Sequence, residues 1–165
     1  MEYTVRPAAM PDMERIEQIY ADARAFMAAN GNPNQWGETY PPVKQLQRDI
    51  AEEKLFVVLD GETIHGVFFF WIGEDSTYDR IYGGVWRSDS PYGTIHRIAA
   101  DGSGGILRAA VAFAEAQISH LRIDTHEDNR VMQNAVAKLG FQRRGIIYIA
   151  DGSPRVAYDY LDLER

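Results

Sequence analysis

The run from Thr94 to Ile118, TIHRIAADGSGGILRAAVAFAEAQI, changes its backbone pattern within a few residues. Thr94–Ala100 reads as a strand. Three glycines then fall in four positions, Gly102, Gly104 and Gly105, interrupted only by Ser103. From Ile106 the period becomes helical, with Leu107, Ala110, Val111, Ala114 and Ile118 forming one stripe. Glycine costs roughly 0.5–1 kcal/mol relative to alanine inside a regular element. A strand, a bare turn and a helix in succession therefore point to something held against that backbone. A helix N-terminus presents unpaired N–H groups and partial positive charge. Glycines let an anion come close to such a terminus, so a phosphate or pyrophosphate is the natural guest. On composition alone, a plain surface turn is the alternative. No Lys-Ser/Thr follows the loop, so it is not a Walker A site. Its spacing also misses the dinucleotide pattern G-x-G-x-x-G.

The rest of the chain supplies a frame for this unit. Tyr3–Ala8 reads as a short strand, and Pro11 opens a helix. Ile16, Ile19, Tyr20, Ala23, Phe26 and Met27 make its apolar stripe, and Asn30-Gly31 ends it. A loop with Trp36 and Tyr40 precedes a polar-faced helix from Val43. Two apolar runs around Asp60-Gly61 predict a hairpin, and residues 74–93 are irregular and aromatic. Leu121–His126 alternates as a strand. Asn129–Leu139 is helical, with Met132, Ala135, Val136 and Leu139 on one face, and Gly140 stands where a left-handed stop belongs. A last hairpin closes around Asp151-Gly152. The order β-α-α-β-β-β-α-β-α-β-β predicts one mixed α/β domain over residues 1–165.

Composition narrows the function classes. The 165 residues are 45% hydrophobic, enough for one real core. No apolar run approaches the roughly 20 residues that span a bilayer, and the N-terminus lacks a targeting pattern. A cytoplasmic protein without membrane partners is expected. A net charge of −7 argues against a nucleic-acid surface. With no cysteine, thiol nucleophiles and cysteine-ligated metals are excluded together. Asp124, His126, Glu127 and Asp128 form an acidic run, but no second histidine stands at ligand spacing, so no metal is expected.

The stretch LRIDTHEDNRVMQNAVAKLGF, Leu121–Phe141, resembles the closing motif of the GNAT family of acyl-CoA-dependent N-acetyltransferases. That motif is a strand, an asparagine, and a helix ending in Leu-Gly-Phe. Asn129 with Leu139, Gly140 and Phe141 fits it, and the element order follows the family over nearly the whole chain. The strings TIHRIA, DTHEDN and GIIY…DGSPR are similar to those of its bacterial branches. The resemblance implies a mostly antiparallel central sheet flanked by helices and splayed between two central parallel strands. It implies acetyl-CoA between those strands, with backbone donors at a bulge near Ile98, Ala99 and Ala100. The pyrophosphate would lie on the amides of Gly102, Ser103, Gly104, Gly105 and Ile106, and Asn129 would hold the pantetheine arm. Three positions depart from the pattern, the first being Ile106 in place of the phosphate loop's last small residue. Asp101 stands where the phosphate loop usually begins with Arg or Gln, and Val136 replaces the usual tyrosine proton donor.

An acetyl transfer needs a neutral amine, and a lysine-like amine is only about one part in a thousand neutral at pH 7. A proton acceptor therefore helps, and an acid helps the thiolate leave. His96 and His126 lie on the two strands expected to splay, Asp124 shares a strand face with His126, and Tyr148 is the candidate substitute acid. Trp36, Tyr40, Tyr82 and Trp86 are expected to wall the acceptor pocket. Arg97 either binds a substrate carboxylate or pairs with an internal acid. The expected activity is acetyl transfer to a primary amine of a small molecule, amino acid or peptide. A non-catalytic acyl-CoA-binding protein on the same fold, and an interaction protein with an incidental glycine turn, are the alternatives. A homodimer is left open.

Overall fold

The computed structural model describes residues 2–162 of the chain. Strand β1 (Thr4–Pro7) leads through a 3-10 turn at Met10–Asp12 into helix α1 (Met13–Ala29), and α2 (Val43–Ala51) follows. β2 (Leu55–Asp60) and β3 (Thr63–Ile72) form the hairpin around Asp60-Gly61. A 3-10 turn at Ser76–Tyr78 interrupts the irregular segment before β4 (Gly93–Ala100). Then come α3 (Ile106–Glu115), β5 (His120–Thr125), α4 (Arg130–Lys138), β6 (Gln142–Tyr148) and β7 (Pro154–Leu161). These are the elements that periodicity predicts, in the predicted order.

The seven strands form one sheet in the order β1-β2-β3-β4-β5-β7-β6. Every neighbouring pair is antiparallel except β4 and β5, which run parallel. Strand alternation divides the apolar residues between two faces. Leu55, Val57, Leu59 and Val67 pack under α1 and α2, with Ile16, Ile19, Tyr20 and Leu46. Val58, Phe68, Phe70 and Ile95 pack on the other face with Ile106, Ala110, Val111 and Ala114 of α3 and Val136 of α4. Apolar side chains on both faces of the sheet thus require helices on both sides, the basis of the layered architecture.

The α1 stripe is shorter than expected. Ile16, Ile19, Tyr20 and Ala23 are buried, whereas Phe26 is 54% exposed. At about 100° per residue, Phe26 lies roughly 80° round the helix from Ile16, at the margin of the buried face. No helix among the described residues is long and apolar enough to cross a membrane.

Candidate functional site

The parallel strands β4 and β5 pair only at Gly93–Leu121 and Thr94–Arg122, and beyond that point the sheet opens. On its other edge β4 stays paired with β3 as far as Ala100. The Asp101 N–H donates to the His65 carbonyl at 3.0 Å. Amides alternate sides along an antiparallel strand, so those of Ala99 and Asp101 face β3. Those of Ile98 and Ala100 face the opening, where β5 no longer answers them. Interior N–H groups are rarely left unpaired, and these two are ready donors for a carbonyl or amide. The expected trio Ile98, Ala99 and Ala100 is thereby corrected: the Ala99 amide is spent on β3. The bulge lies at the near end of the expected stretch. It falls between the Phe69–His96 and Val67–Ala99 pairs, where Arg97 and Ile98 together oppose Phe68.

At the end of β4 the chain turns through Gly102 (φ +100°) into Gly105 (φ +84°), the residue capping α3. Both conformations belong to the left-handed region that glycine enters without penalty. The first α3 bond in this turn runs from the Ala109 N–H to the Gly105 carbonyl at 3.0 Å. The amides of Ile106, Leu107 and Arg108 precede it and have no helical carbonyl to bond. The Tyr3 hydroxyl donates to the Gly104 carbonyl at 2.7 Å and fixes the turn. Asp101 does not face outward as a repelling charge. Arg15 meets its carboxylate at 2.8 Å, His65 at 2.8 Å, and the Ser103 N–H at 3.0 Å. Burial opposes its ionisation, but the bonds from Ser103 and His65 outweigh that and hold its pKa down at about 2. Arg108, beside Gly104, Gly105 and Tyr3 in a shallow depression, adds a cation that the sequence pattern did not single out.

Continuing the register by two residues sets His96 level with Asp124 across the opening. The His96 Nε2 lies 2.8 Å from Asp75 Oδ2, and its Nδ1 lies 3.7 Å from Asp124 Oδ1. Burial pushes the Asp75 pKa up, but hydrogen bonds from His96 and Thr77 overcome this and hold it well below the usual carboxylate range. An ionised carboxylate only accepts, so Nε2 carries the proton of that bond. Asp124 in turn accepts the Tyr78 hydroxyl at 2.6 Å. Burial, reinforced by the Asp124 charge, raises the Tyr78 pKa and keeps that phenol protonated. The tyrosine and histidine rings lie 6.0 Å apart. Asp75 and Tyr78 come from the irregular segment, and their partnership with His96 is a long-range contact. The only local sign was Asp75 two residues before Thr77, whose N–H it accepts at 3.0 Å.

The other expected residues are placed as follows. His126 turns back on its own loop, its Nδ1 accepting the Asp128 N–H at 3.0 Å, and Asp124 joins His96 rather than His126. Tyr148 is 50% exposed at the end of β6 and meets Tyr82 edge-on at 5.3 Å. β6 follows in sequence but β7 lies between it and β5, so Tyr148 is not on a strand bordering the opening. Asn129 caps α4 by accepting the Met132 N–H at 3.0 Å, and its amide donates to Gln35 Oε1 at 3.1 Å. Gln35 also receives the Thr125 hydroxyl at 3.3 Å, tying the α1–α2 loop to the end of β5.

The four aromatics do not make one wall. Trp36 and Tyr40 stand together, with ring centroids 6.4 Å apart, and Trp36 meets Tyr20 edge-on. Trp86 packs on Tyr78 and covers the Arg122 guanidinium at 4.1 Å, while Tyr82 belongs with Tyr148. Arg97 takes the second of its two expected roles and pairs with the buried Asp49. No group of three or more metal-ligating acids and histidines occurs among the described residues.

No family model matches the sequence, and no curated protein matches it. Solved structures do. A GNAT-family acetyltransferase from Streptococcus agalactiae superposes with a TM-score of 0.88 at 29% identity, covering 97% of this chain and 95% of its own. A putative acetyltransferase from Staphylococcus aureus shares the fold at a TM-score of 0.67 and 21% identity, covering 96% and 98% of the two chains. A chain of the NatC complex bound to Gag peptide and CoA shares it at 0.56 and 13% identity, covering 98% and 99%. The opened β4–β5 pair, the motif from Asn129 to Phe141 and the full-length match to the streptococcal acetyltransferase agree: the chain is similar over nearly its whole length to GNAT-family acetyltransferases and has their fold.

Proposed function

We propose that residues 1–165 act as one acyl-CoA N-acyltransferase domain. It moves an acetyl group from acetyl-CoA to a primary amine of a small molecule, amino acid or peptide, by direct attack in a ternary complex. The observation that carries this reading is the opening beyond Thr94 and Arg122, bordered by unanswered amides at Ile98 and Ala100 and by His96. The CoA held by the NatC neighbour supports the choice of donor.

The residues present fit that donor. Bound acetyl-CoA supplies an activated thioester. The Ile98 and Ala100 amides are suited to polarise its carbonyl and to bond the pantetheine amides, as fixed backbone donors do at small cost in reorganisation. The glycine turn, the unpaired first-turn amides of α3 and Arg108 suit the pyrophosphate. Asn129 offers its amide to the pantetheine arm by exchanging Gln35 for the ligand. His96 Nδ1 takes the proton that the amine gives up, and the imidazolium so formed stands between Asp75 and Asp124. Trp36 and Tyr40 line the acceptor side. Val136, where the family commonly has tyrosine, is buried in the core and brings no acid to the departing thiolate. A thiolate of pKa about 8.5 leaves without complete protonation, so transfer does not require one.

Calorimetry with acetyl-CoA, followed by a panel of amines assayed for free thiol, tests the proposal. Binding with amine-dependent thiol release supports it. Binding without release from any amine selects acyl-CoA binding alone, which Val136 favours. Absence of binding removes both.

A further inference from the structure

Arg97 has φ +49° in the middle of a strand, a conformation that a residue with a side chain holds only when its surroundings enforce it. The surroundings act on both ends of the residue. The buried Tyr20 hydroxyl of α1 donates to the Arg97 carbonyl at 2.7 Å. The guanidinium pairs with Asp49 of α2 and lies 4.6 Å from the centre of the Phe69 ring on β3. Asp49 is 2% exposed and is itself held by Gln45, whose Nε2 donates to it at 3.1 Å. The Arg97 Nε is buried without a partner, so the side chain is not arranged for its own best hydrogen bonding.

The bulge changes which way the strand faces. Regular alternation from His96 would put Ile98 on the α1–α2 side. Instead Ile98 packs with the α3 core, and Ala99 packs under α1. The extra residue allows His96 to face Asp75 while the next free amide, that of Ile98, still points into the opening.

We propose that Tyr20 and Asp49 are positioning residues: they clamp Arg97 in its left-handed conformation and so aim the Ile98 amide into the β4–β5 opening. The catalytic consequence of the clamp rests on the acetyl-transfer reading; the clamp itself does not. Tyr20→Phe removes one hydroxyl, and Asp49→Asn removes the charge while keeping an acceptor. In each variant the backbone amide and Cα chemical shifts of residues 96–100 should move, while those of the α3 N-terminus stay in place. The kcat for acetyl transfer should fall about 10-fold or more and by more than the affinity for CoA, because the glycine turn and Arg108 still hold the pyrophosphate. Arg97→Gly supplies the decisive control. Glycine adopts this φ unaided, so Tyr20→Phe added to Arg97→Gly should cost less than about twofold further.

Unchanged shifts at residues 96–100 in both variants overturn the clamp. So does a Tyr20→Phe loss that persists undiminished on the Arg97→Gly background. Should Asp49→Asn fail to fold, Tyr20→Phe decides alone. Should the wild type transfer no acetyl group to any amine, the functional reading fails, and the shifts still decide whether the clamp exists.

Discussion

Replacing Asp75 with asparagine tests the arrangement of His96 with little change of shape. The carboxylate stands 2.8 Å from His96 Nε2 and also accepts the Thr77 N–H at 3.0 Å. Asparagine keeps an oxygen for Thr77, so the 3-10 turn at Ser76–Tyr78 should persist. Its Nδ2 then faces His96 Nε2, donor against donor, so the imidazolium loses the hydrogen bond together with the charge. A hydrogen bond to a charged group contributes about 1.5–3 kcal/mol, and the exchange withdraws that amount. At about 1.4 kcal/mol per tenfold, kcat/KM should fall about 10- to 100-fold. His96→Gln removes the proton acceptor itself and should cost about 10²–10⁴-fold.

The same pair predicts a pH dependence of stability. Because the folded-state pKa of Asp75 is depressed, its contribution is present above the unfolded value near 3.9 and lost as pH falls through the folded value. Wild type and Asp75→Asn should therefore differ in Tm near neutrality and converge as the pH drops below about 4. The assay is thiol release from acetyl-CoA over about pH 6–9, with thermal melts on the same preparations. A folded Asp75→Asn protein within twofold of wild type at every pH would refute the role given to the Asp75–His96 pair.

Three further outcomes are expected. A Cβ at Gly104 would meet nothing within 4 Å, so Gly104→Asp should fold normally yet weaken acetyl-CoA binding in calorimetry through like-charge repulsion. A Cβ at Gly66 would stand 2.4 Å from Ile106 Cγ2. Gly66→Ala should push the α3 N-terminus off the sheet, costing about 1–3 kcal/mol in denaturant unfolding and weakening acetyl-CoA as well. Tyr148→Phe should transfer acetyl at the wild-type rate, since the phenol stands on the outermost strand against Tyr82; a loss of about 10²-fold would return it to the mechanism as the acid.

The sequence by itself determined the elements, their order and the places where they end. Apolar period is a local property, and so are the turns at Asp60-Gly61 and Asp151-Gly152, the cap at Asn129 and the stop at Gly140. Bare glycines at the start of a helix are legible in the same way, because they follow from residues adjacent in the chain; a sheet opening beside His96 came only from the resemblance to the GNAT family. Tertiary structure decided which side chains meet. Asp75 and Tyr78 reach His96 from a segment without period, and Asp49 reaches Arg97 from another helix, so neither pairing leaves a mark on local spacing. Tyr148 illustrates the converse. It follows β5 in sequence, yet β7 inserts between β5 and β6, and strand order in a sheet is fixed by pairing over distances that no window of sequence spans. Arg97, in the bulge, is a further case: its φ of +49° goes with contacts to Tyr20 and Asp49 that come from across the fold.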